Sequence, residues 1–549
     1  MPPDARFDAR SQKRARKLEA AHAIAKGKFL APDAVTPLLE AVIAPTDTVI
    51  IEGDNQKQAD FLAKCLLGVD PAKVHHLHMC QSSIILPEHL DLFERGIASR
   101  IDFAYAGPQG ERLFRMLADK KLVIGDIHTY VELYTRYFAD LLPDVCLLVA
   151  EKADKAGNVY TGFSTEETPA LIEATAFKGG IVVVQVNEVV DALTRVDIPA
   201  DWVDFIVQSP RPFYIEPLFT KDPGQMTELQ VLMAMMALRA IYAKYLPRTV
   251  NHGVGFNTAA IELLFPTYGL ELGLKGKACT HWALNPHPTM IPAVESGFVE
   301  TIYPVGGEVG MEAYVNSKPD IFPIGFDGTM RSNRFFSQMC GHYAADMFIG
   351  STLQIDIQGN SSTVTSGRLV GYGGAPNFGC DARGRRYASP AWLAAGKEAY
   401  AGAPMPRGRK LVVQIVETYH GRMQPTFVEK LDAWEFAQQG FFANPPVMIY
   451  GDDVSHIVTE EGVANLLLCR TPQEREQAIR GVAGYTPVGL ARDRAMVDAL
   501  RERGAVAWPE DLGIKESQAS RDLLAAKSIK DLVDWSGGLY DPPSRFRNW

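Results

Sequence analysis

Short runs of β-branched and aliphatic residues recur along this chain with almost no polar interruption. VCLLVAE from Val145, GIVVVQVN from Gly180 and DFIVQ from Asp204 are apolar at both odd and even positions. A strand with one wet face would alternate; a continuous run calls for a strand covered on both faces. TVIIEGDN from Thr48 leads through a turn into the helical period of QKQADFLAKCLLG, which makes a βα unit, and KLVIG from Lys121 adds a further strand. The expected fold is therefore α/β with a largely parallel, doubly covered sheet. The rhythm breaks at EPLFTKDPGQMTELQ, Glu216 to Gln230, on two prolines and a glycine. It restarts with GVGFNTAAIELL from Gly253, GFVETIY from Gly297, STLQIDIQG from Ser351, KLVVQIVE from Lys410 and PVMIYGDD from Pro446. We expect two α/β domains, 1–222 and 223–549. The C-terminal tail ending DPPSRFRNW has few strand signals and is expected to wrap the surface or a partner subunit.

A chain of 549 residues is long enough for two cores, and 47% hydrophobic with 22% charged residues is a globular composition. The net charge of −10 argues against a nucleic-acid binder. Arg10, Lys13, Arg14, Arg16 and Lys17 form a basic cluster, but Asp4, Asp8 and Glu19 interrupt it, so a solvated helix face is expected. No apolar segment opens the chain, which speaks against a signal peptide. VLMAMMAL, Val231 to Leu238, is too short to cross a bilayer and suits a Met-rich core helix. The seven cysteines, odd in number and never CxxC, suit free thiols in a reducing cytoplasm.

Two glycine-rich segments stand out. GVGFNTAA, Gly253 to Ala260, places glycines between a strand end and a helix whose first turn carries Asn257 and Thr258, where backbone amides can hold negative charge. Spacing alone leaves ligand contact and a plain turn equally open. LVGYGGAPNFG, Leu369 to Gly379, brings its backbone close to either a strand or a ligand, and lacks the Lys-Ser/Thr of a nucleotide P-loop. HHLHMC from His75 reads as a polar strand end, with no acidic partner at ligand spacing, so no metal is expected. GDDVSH from Gly451 reads as a turn. There is no G-x-S-x-G and no HExxH.

Several of these segments, in order, resemble the family I coenzyme A transferases and acetyl-CoA hydrolases. PDVCLLVAEKADKAGNVYTG, GGIVVVQVNEVV and DFIVQSPRPFYIEP are similar to the family's first half; GVGFNTAAI, THWALNPHPTM, LVGYGGAPNFG and SHIVTEEGVANL are similar to its glycine loop, active-site segment, thioester loop and VTEYGVADL segment. EGDNQKQADFLAKCL and GYGGAPNFGCDARGR, with THWALNPHPTM, resemble most the branch of malonate decarboxylase alpha subunits. The resemblance implies tandem CoA-transferase-like (NagB/RpiA-type) domains with the active site in the cleft between them. It also implies an acyl-carrier-protein transferase that exchanges acetyl for malonyl. Its thioester would belong to CoA or to the phosphoribosyl-dephospho-CoA arm of a separate carrier subunit, with decarboxylase beta and gamma subunits as further partners and no cofactor bound covalently to this chain. A stand-alone carboxylate CoA-transferase, an acetyl-CoA hydrolase, a citrate lyase alpha subunit and a non-catalytic scaffold are the rival readings.

One departure is informative. The related CoA transferases carry His-Thr-Glu-Met, whose glutamate attacks the thioester, where this chain reads His287-Pro288-Thr289-Met290. Glu295, Glu308 and Glu460 are nearby in sequence or motif, and nothing in the sequence selects one. Without that glutamate, malonate's own carboxylate can attack the thioester, with backbone N–H groups of Gly253, Gly255, Gly373 and Gly374 as oxyanion donors. Thr289 and Glu460 complete the catalytic candidates. Asn55 and Gln56, just past a strand end, are candidates for binding the acid, against an N-cap role for Asp54 or Asn55. Asn257, Asn377 and His287 are further substrate-binding candidates.

Overall fold

The computed structural model describes residues 3–53, 57–421 and 423–549. The chain divides into two compact units. One comprises Met1–Leu218 with the returning segments Gly325–Phe335 and Ser366–Gly373; the other comprises Phe219–Ile324, Phe336–Thr365 and Gly374–Trp549.

Among the described residues the first unit is built on a nine-stranded sheet. Its strands are β1 (Phe29–Leu30), β2 (Thr48–Ile51), β3 (Leu77–Ser83), β4 (Ala98–Tyr105), β5 (Val123–Ile127), β6 (Val145–Asp154), β7 (Val159–Tyr160), β8 (Ile181–Val190) and β9 (Phe205–Gln208). They lie in the order β1-β9-β8-β6-β2-β3-β4-β5, with β7 hairpinned onto β6. Apart from that hairpin all pairs are parallel, and β6 and β8 run in register from Val145 opposite Ile181 to Asp154 opposite Val190. The apolar runs behave as their composition requires: every residue of Val145–Ala150 and of Ile181–Val184 is fully buried. From β2 the chain moves to one side for β3, β4 and β5, then returns to the other side for β6, β8 and β9. That reversal puts a switch point between β2 and β6.

On the basic helix Pro3–Ala21, Arg16 stays exposed, but the other four basic residues of the cluster are ion-paired. Lys13 pairs with Asp47 at 2.7 Å and Asp144 at 2.9 Å, Lys17 with Asp47, Arg14 with Asp204 and Arg10 with Asp144. Those aspartates precede β2, β6 and β9, so the helix clamps the amino ends of three strands.

The second unit holds an eight-stranded sheet among the described residues. We label its strands β10 (Thr249–His252), β11 (His281–Ala283), β12 (Thr301–Tyr303), β13 (Met347–Gly350), β14 (Leu411–Ile415), β15 (His456–Thr459), β16 (Gly462–Asn465) and β17 (Val506–Ala507). Their order is β12-β11-β10-β13-β14-β15-β16-β17, parallel up to β15 and antiparallel beyond it. Here too the first strand, β10, sits where the order reverses, between β11 and β13. PVMIY is not the strand its composition suggests: the chain there makes a single bridge, Ile449 to Ser361, and the buried strand follows at His456–Thr459. STLQIDIQG yields only Gln354–Asp356, in a small separate sheet. The Met-rich helix Glu228–Ala237 is core, with Val231 to Ala237 all buried, and packs on the helix Phe256–Leu264. The C-terminal tail holds the far end of that second helix: Ala525 N–H donates to Leu263 O at 3.0 Å and Thr267 Oγ1 to Leu523 O at 2.5 Å. No described helix is long and apolar enough to cross a membrane.

Candidate active site

At the carboxyl end of β10 the Gly253 N–H donates to Ile349 O at 2.7 Å, carrying the pairing with β13 one residue further. A Cβ on Gly253 would stand 2.9 Å from Gly350 Cα, so two strands meet here glycine to glycine. Thr258 Oγ1 then donates to Gly253 O at 2.5 Å and Gly255 O at 3.1 Å, which folds the turn back onto the helix start. Asn257 Nδ2 donates to Ile415 O at 3.3 Å and Ser351 Oγ at 3.4 Å, tying the helix start to the ends of β13 and β14. The first-turn amides of a helix have no intrahelical acceptor. Those of Phe256 and Asn257 lie at the switch point, beside the Gly255 amide.

Glu262 lies one turn beyond Thr258, fully buried, and gathers three side chains. Its Oε1 is 3.1 Å from His252 Nδ1; its Oε2 is 2.8 Å from His287 Nε2 and accepts from Thr289 Oγ1 at 2.6 Å. His252 Nε2 faces the Tyr242 hydroxyl at 2.9 Å, and His287 Nδ1 faces Asn285 O at 2.7 Å. Burial would raise the Glu262 carboxyl, but the charge of His287 and hydrogen bonds from both histidines reverse this and hold it well below the usual carboxylate range. Burial likewise opposes the His287 cation, and Glu262, the Asn285 carbonyl and Glu308 more than offset it, so His287 is shifted upward. Phe219 stacks on the His287 ring at 6.3 Å. A small cavity of about 10 Å³, the size of one water, is lined by His287, His252, Lys221, Leu284, Gly253 and Gly255 among others.

The structure thus gathers Gly253, Gly255, Asn257, His287 and Thr289 at one place. The glycine loop behaves otherwise. Tyr372 and Gly373 N–H groups donate to Ala104 O at 2.7 and 2.9 Å, Tyr130 N–H donates to Gly373 O at 3.2 Å, and a Cβ on Gly371 would lie 2.5 Å from Ala104 O. Gly371 and Gly373 both have positive φ, so this stretch uses its glycines to press its backbone onto β4. The amides of Gly253 and Gly373 are thereby engaged within the fold. Gly374 belongs to the second unit, where a Cβ would overlap the Gln338 side chain, and Asn377 lies in the short helix Ala375–Phe378. Glu460, at the β15–β16 turn, accepts from Thr418 N at 3.0 Å and Thr418 Oγ1 at 2.5 Å, with no hydrogen bond to the Glu262 group among the described residues. Glu295 takes the Tyr314 hydroxyl and Lys318, both at 2.8 Å; buried Glu308 takes Thr220 N at 3.1 Å and Thr220 Oγ1 at 2.8 Å. Asn55 and Gln56 fall outside the described residues. Next to them, at the first unit's switch point, Lys57 is buried against Glu52 at 3.1 Å and Thr168 at 2.5 Å.

His78 does have an acidic partner, one strand away: Asp102 accepts at 2.6 Å from His78 Nε2 and at 2.8 Å from His128 Nε2. Asp102, Asp126 and His128 are near enough to share a metal ion, yet Arg136 Nη1 lies 3.3 to 3.4 Å from an atom of each and brings the positive charge itself. Sequence reasoning missed Glu262. Its one signal is a lone acid in an otherwise apolar helix, AAIELLF.

Residues 6–549 match the family described as malonate decarboxylase, alpha subunit, transporter. The chain belongs to the malonate decarboxylase alpha subunit family. It is 60% identical over 516 residues, 93% of each protein, to the acetyl-S-ACP:malonate ACP transferase of Malonomonas rubra. It is 56% identical, with a TM-score of 0.96 over 100% of both chains, to a chain of a Pseudomonas malonate decarboxylase hetero-tetramer solved in complex with malonate. At the level of fold alone it is similar to an acyl-CoA transferase of Escherichia coli O157:H7, 14% identical with a TM-score of 0.52 over 79% of this chain and 87% of that one. The tandem CoA-transferase-like α/β fold expected of the sequence is the fold found. Thr289, expected from the sequence to stand in place of a glutamate, has its hydroxyl bound to Glu262.

Proposed function

We propose that the chain is the transferase subunit of a multi-subunit malonate decarboxylase, turning acetyl-S-carrier and malonate into malonyl-S-carrier and acetate. The observation that carries this reading is the glycine turn at the β10 switch point, whose cavity is lined by Gly253, Gly255, Lys221 and His287, in a chain 60% identical to a protein named for that reaction. The acyl group would arrive on the phosphoribosyl-dephospho-CoA arm of a carrier subunit, and separate beta and gamma subunits would decarboxylate the product. The free cysteines suit a cytoplasmic setting.

With Thr289 in place of a glutamate, malonate supplies the nucleophile. One carboxylate oxygen bonds to the acetyl carbonyl carbon, the C–S bond breaks, and the carrier leaves as thiolate, giving an acetyl-malonyl anhydride. The thiolate then bonds to the malonyl carbonyl carbon and acetate departs with the C–O electron pair. Each step passes through an oxyanion, and one preorganised donor such as the Gly255 or Phe256 amide is worth roughly 3 kcal/mol to it. Lys221, at the cavity wall, neutralises the carboxylate that does not react.

The test is label transfer from malonate onto acetyl-loaded carrier, with succinate, butyrate, citrate and water as competing acceptors. Transfer to malonate in preference to the others supports the reading; preference for citrate or water replaces it with a lyase-type or hydrolase function. Borohydride reduction or hydroxylamine trapping that finds a modified glutamate would overturn direct attack.

A further inference from the structure

The hydrogen bonds around Glu262 fix one proton outright and place a second between two groups. Asn285 O can only accept, so His287 Nδ1 carries a proton. His287 Nε2 faces Glu262 Oε2 at 2.8 Å, and one proton must lie between them. Glu262 also accepts from Thr289 and faces His252 Nδ1, whose other nitrogen is supplied by the Tyr242 hydroxyl. Against burial, the charge of His287 and the histidine hydrogen bonds hold Glu262 low, and Glu262, the Asn285 carbonyl and Glu308 hold His287 high, so the shared proton sits on His287. Buried Glu308 is a second carboxylate acting on the same ring, and Lys221 is the opposing cation at the cavity wall.

We infer that Glu262 is a positioning residue that keeps His287 as a fixed imidazolium at the wall of the transfer site, where its charge selects a doubly charged acid over a singly charged one. The inference rests on the transferase reading of this site. His287 lines the cavity and Glu262 stands behind it, so a ligand meets the positive member of the pair first. Both ring N–H groups are engaged, so His287 acts by its field and not by donating to the ligand. A charge that neither moves nor changes partner acts alike on bound acid and transition state, and such uniform binding appears in KM.

Glu262→Gln separates charge from packing. Turned so that its amide donates to His287 Nε2 and to Thr289 Oγ1 while its oxygen accepts from His252, glutamine occupies the same place with a neutral His287, the Thr289 hydroxyl changing from donor to acceptor. In the assembled complex, E262Q should raise KM for malonate by about tenfold or more, while KM for labelled acetate in acetyl exchange rises by less than about threefold and kcat changes little. Glu262→Asp, which keeps the charge, should recover most of the malonate KM, and His287→Asn should reproduce the E262Q split if E262Q folds poorly. NMR of ring-labelled histidine gives a readout independent of turnover: the His287 signal stays imidazolium above the ordinary histidine range in the wild type and loses that upward shift in E262Q. Equal KM changes for malonate and acetate, or no persistent imidazolium in the wild type, would overturn the inference. A wild-type complex that shows the imidazolium but moves no acetyl to malonate would instead remove the transferase reading.

Discussion

Restoring the glutamate that related transferases use should damage this chain, not convert it. Thr289 is fully buried, and its hydroxyl donates to Glu262 Oε2 at 2.6 Å. A Thr289→Glu carboxylate would stand about 4 Å from the Glu262 carboxylate, where two like charges repel by about 4 kcal/mol at an effective dielectric constant of 20. Fitting the extra side-chain atoms into a closed core adds about 1–3 kcal/mol. The sum, about 5–7 kcal/mol, corresponds to a fall on the order of 10 °C in the melting midpoint of the unit. Part of the repulsion can be relieved if the two carboxyls share a proton, which would make the melting point of T289E rise on acidification while that of the wild type does not. Calorimetry across pH, beside hydroxylamine trapping after incubation with acetyl thioester, measures both consequences. T289E melting within about 2 °C of the wild type and yielding a glutamyl thioester at 289 would refute the reasoning, because it would mean that the site has room and charge to spare for a second carboxylate.

Glycine at 253 and glycine at 255 should answer differently to alanine. Gly253→Ala drives a Cβ to 2.9 Å from Gly350 Cα and should cost about 1–3 kcal/mol in urea denaturation, whereas Gly255→Ala has nothing nearer than Ser351 Oγ at 4.0 Å and should melt like the wild type; equal losses would mean that the β10–β13 approach is looser than described. The Asp102 cluster should make stability depend on pH. Burial raises Asp102, and hydrogen bonds from His128 and His78 more than reverse it; burial lowers His128, and Asp102 and Glu132 raise it above its ordinary value. The depressed carboxyl stabilises above about pH 4 and loses its effect as pH falls through its folded value; the raised histidine stabilises below about pH 6.5 and loses its effect as pH rises through its own. Asp102→Asn should therefore cost most between about pH 4 and 6.5 and less at pH 9, and a cost that stays flat from pH 5 to 9 would count against the assignment.

Strands whose sequence needed no long-range partner were readable directly. Apart from Asp154 and Gln185, β6, β8 and β9 are apolar at every position that the sheet buries, and they lie where the runs predict. β4 was not visible because ASRIDFAY carries Arg100 and Asp102, and a buried aspartate is tolerable only once His78 from β3 and His128 from beyond β5 are in place. PVMIY failed in the opposite sense: apolar enough for a strand, it makes only one antiparallel bridge, Ile449 to Ser361, at the edge of the small sheet. The basic N-terminal helix looked like a solvated surface because the aspartates that neutralise it, Asp47, Asp144 and Asp204, are scattered far along the chain and meet only at one end of the sheet.

The same limit explains what the sequence revealed of the site. Motifs made of adjacent residues, such as GVGFNTAA, survive as local geometry, and two of the segments nominated for ligand contact, the one after β2 and the one after β10, follow the strand at which the sheet order reverses, whereas LVGYGGAPNFG does not. What differs between the two switch points lies in residues brought from afar. In the first unit the carboxylate that ends β2, Glu52, accepts from Val149 N at 2.8 Å and is neutralised by Lys57, so charge at that crevice is consumed inside the fold. In the second unit the buried carboxylate, Glu262, sits a helical turn further back and takes its protons from two histidines, which leaves the helix amides at the strand end open. A CoA-transferase-like unit can thus hold an internal ion pair or receive an anion at the same topological position, according to whether its carboxylate stands at the strand end or behind it. Moving that charge forward, as Thr289→Glu would, should turn the receiving crevice into one that repels the acid it is built to bind.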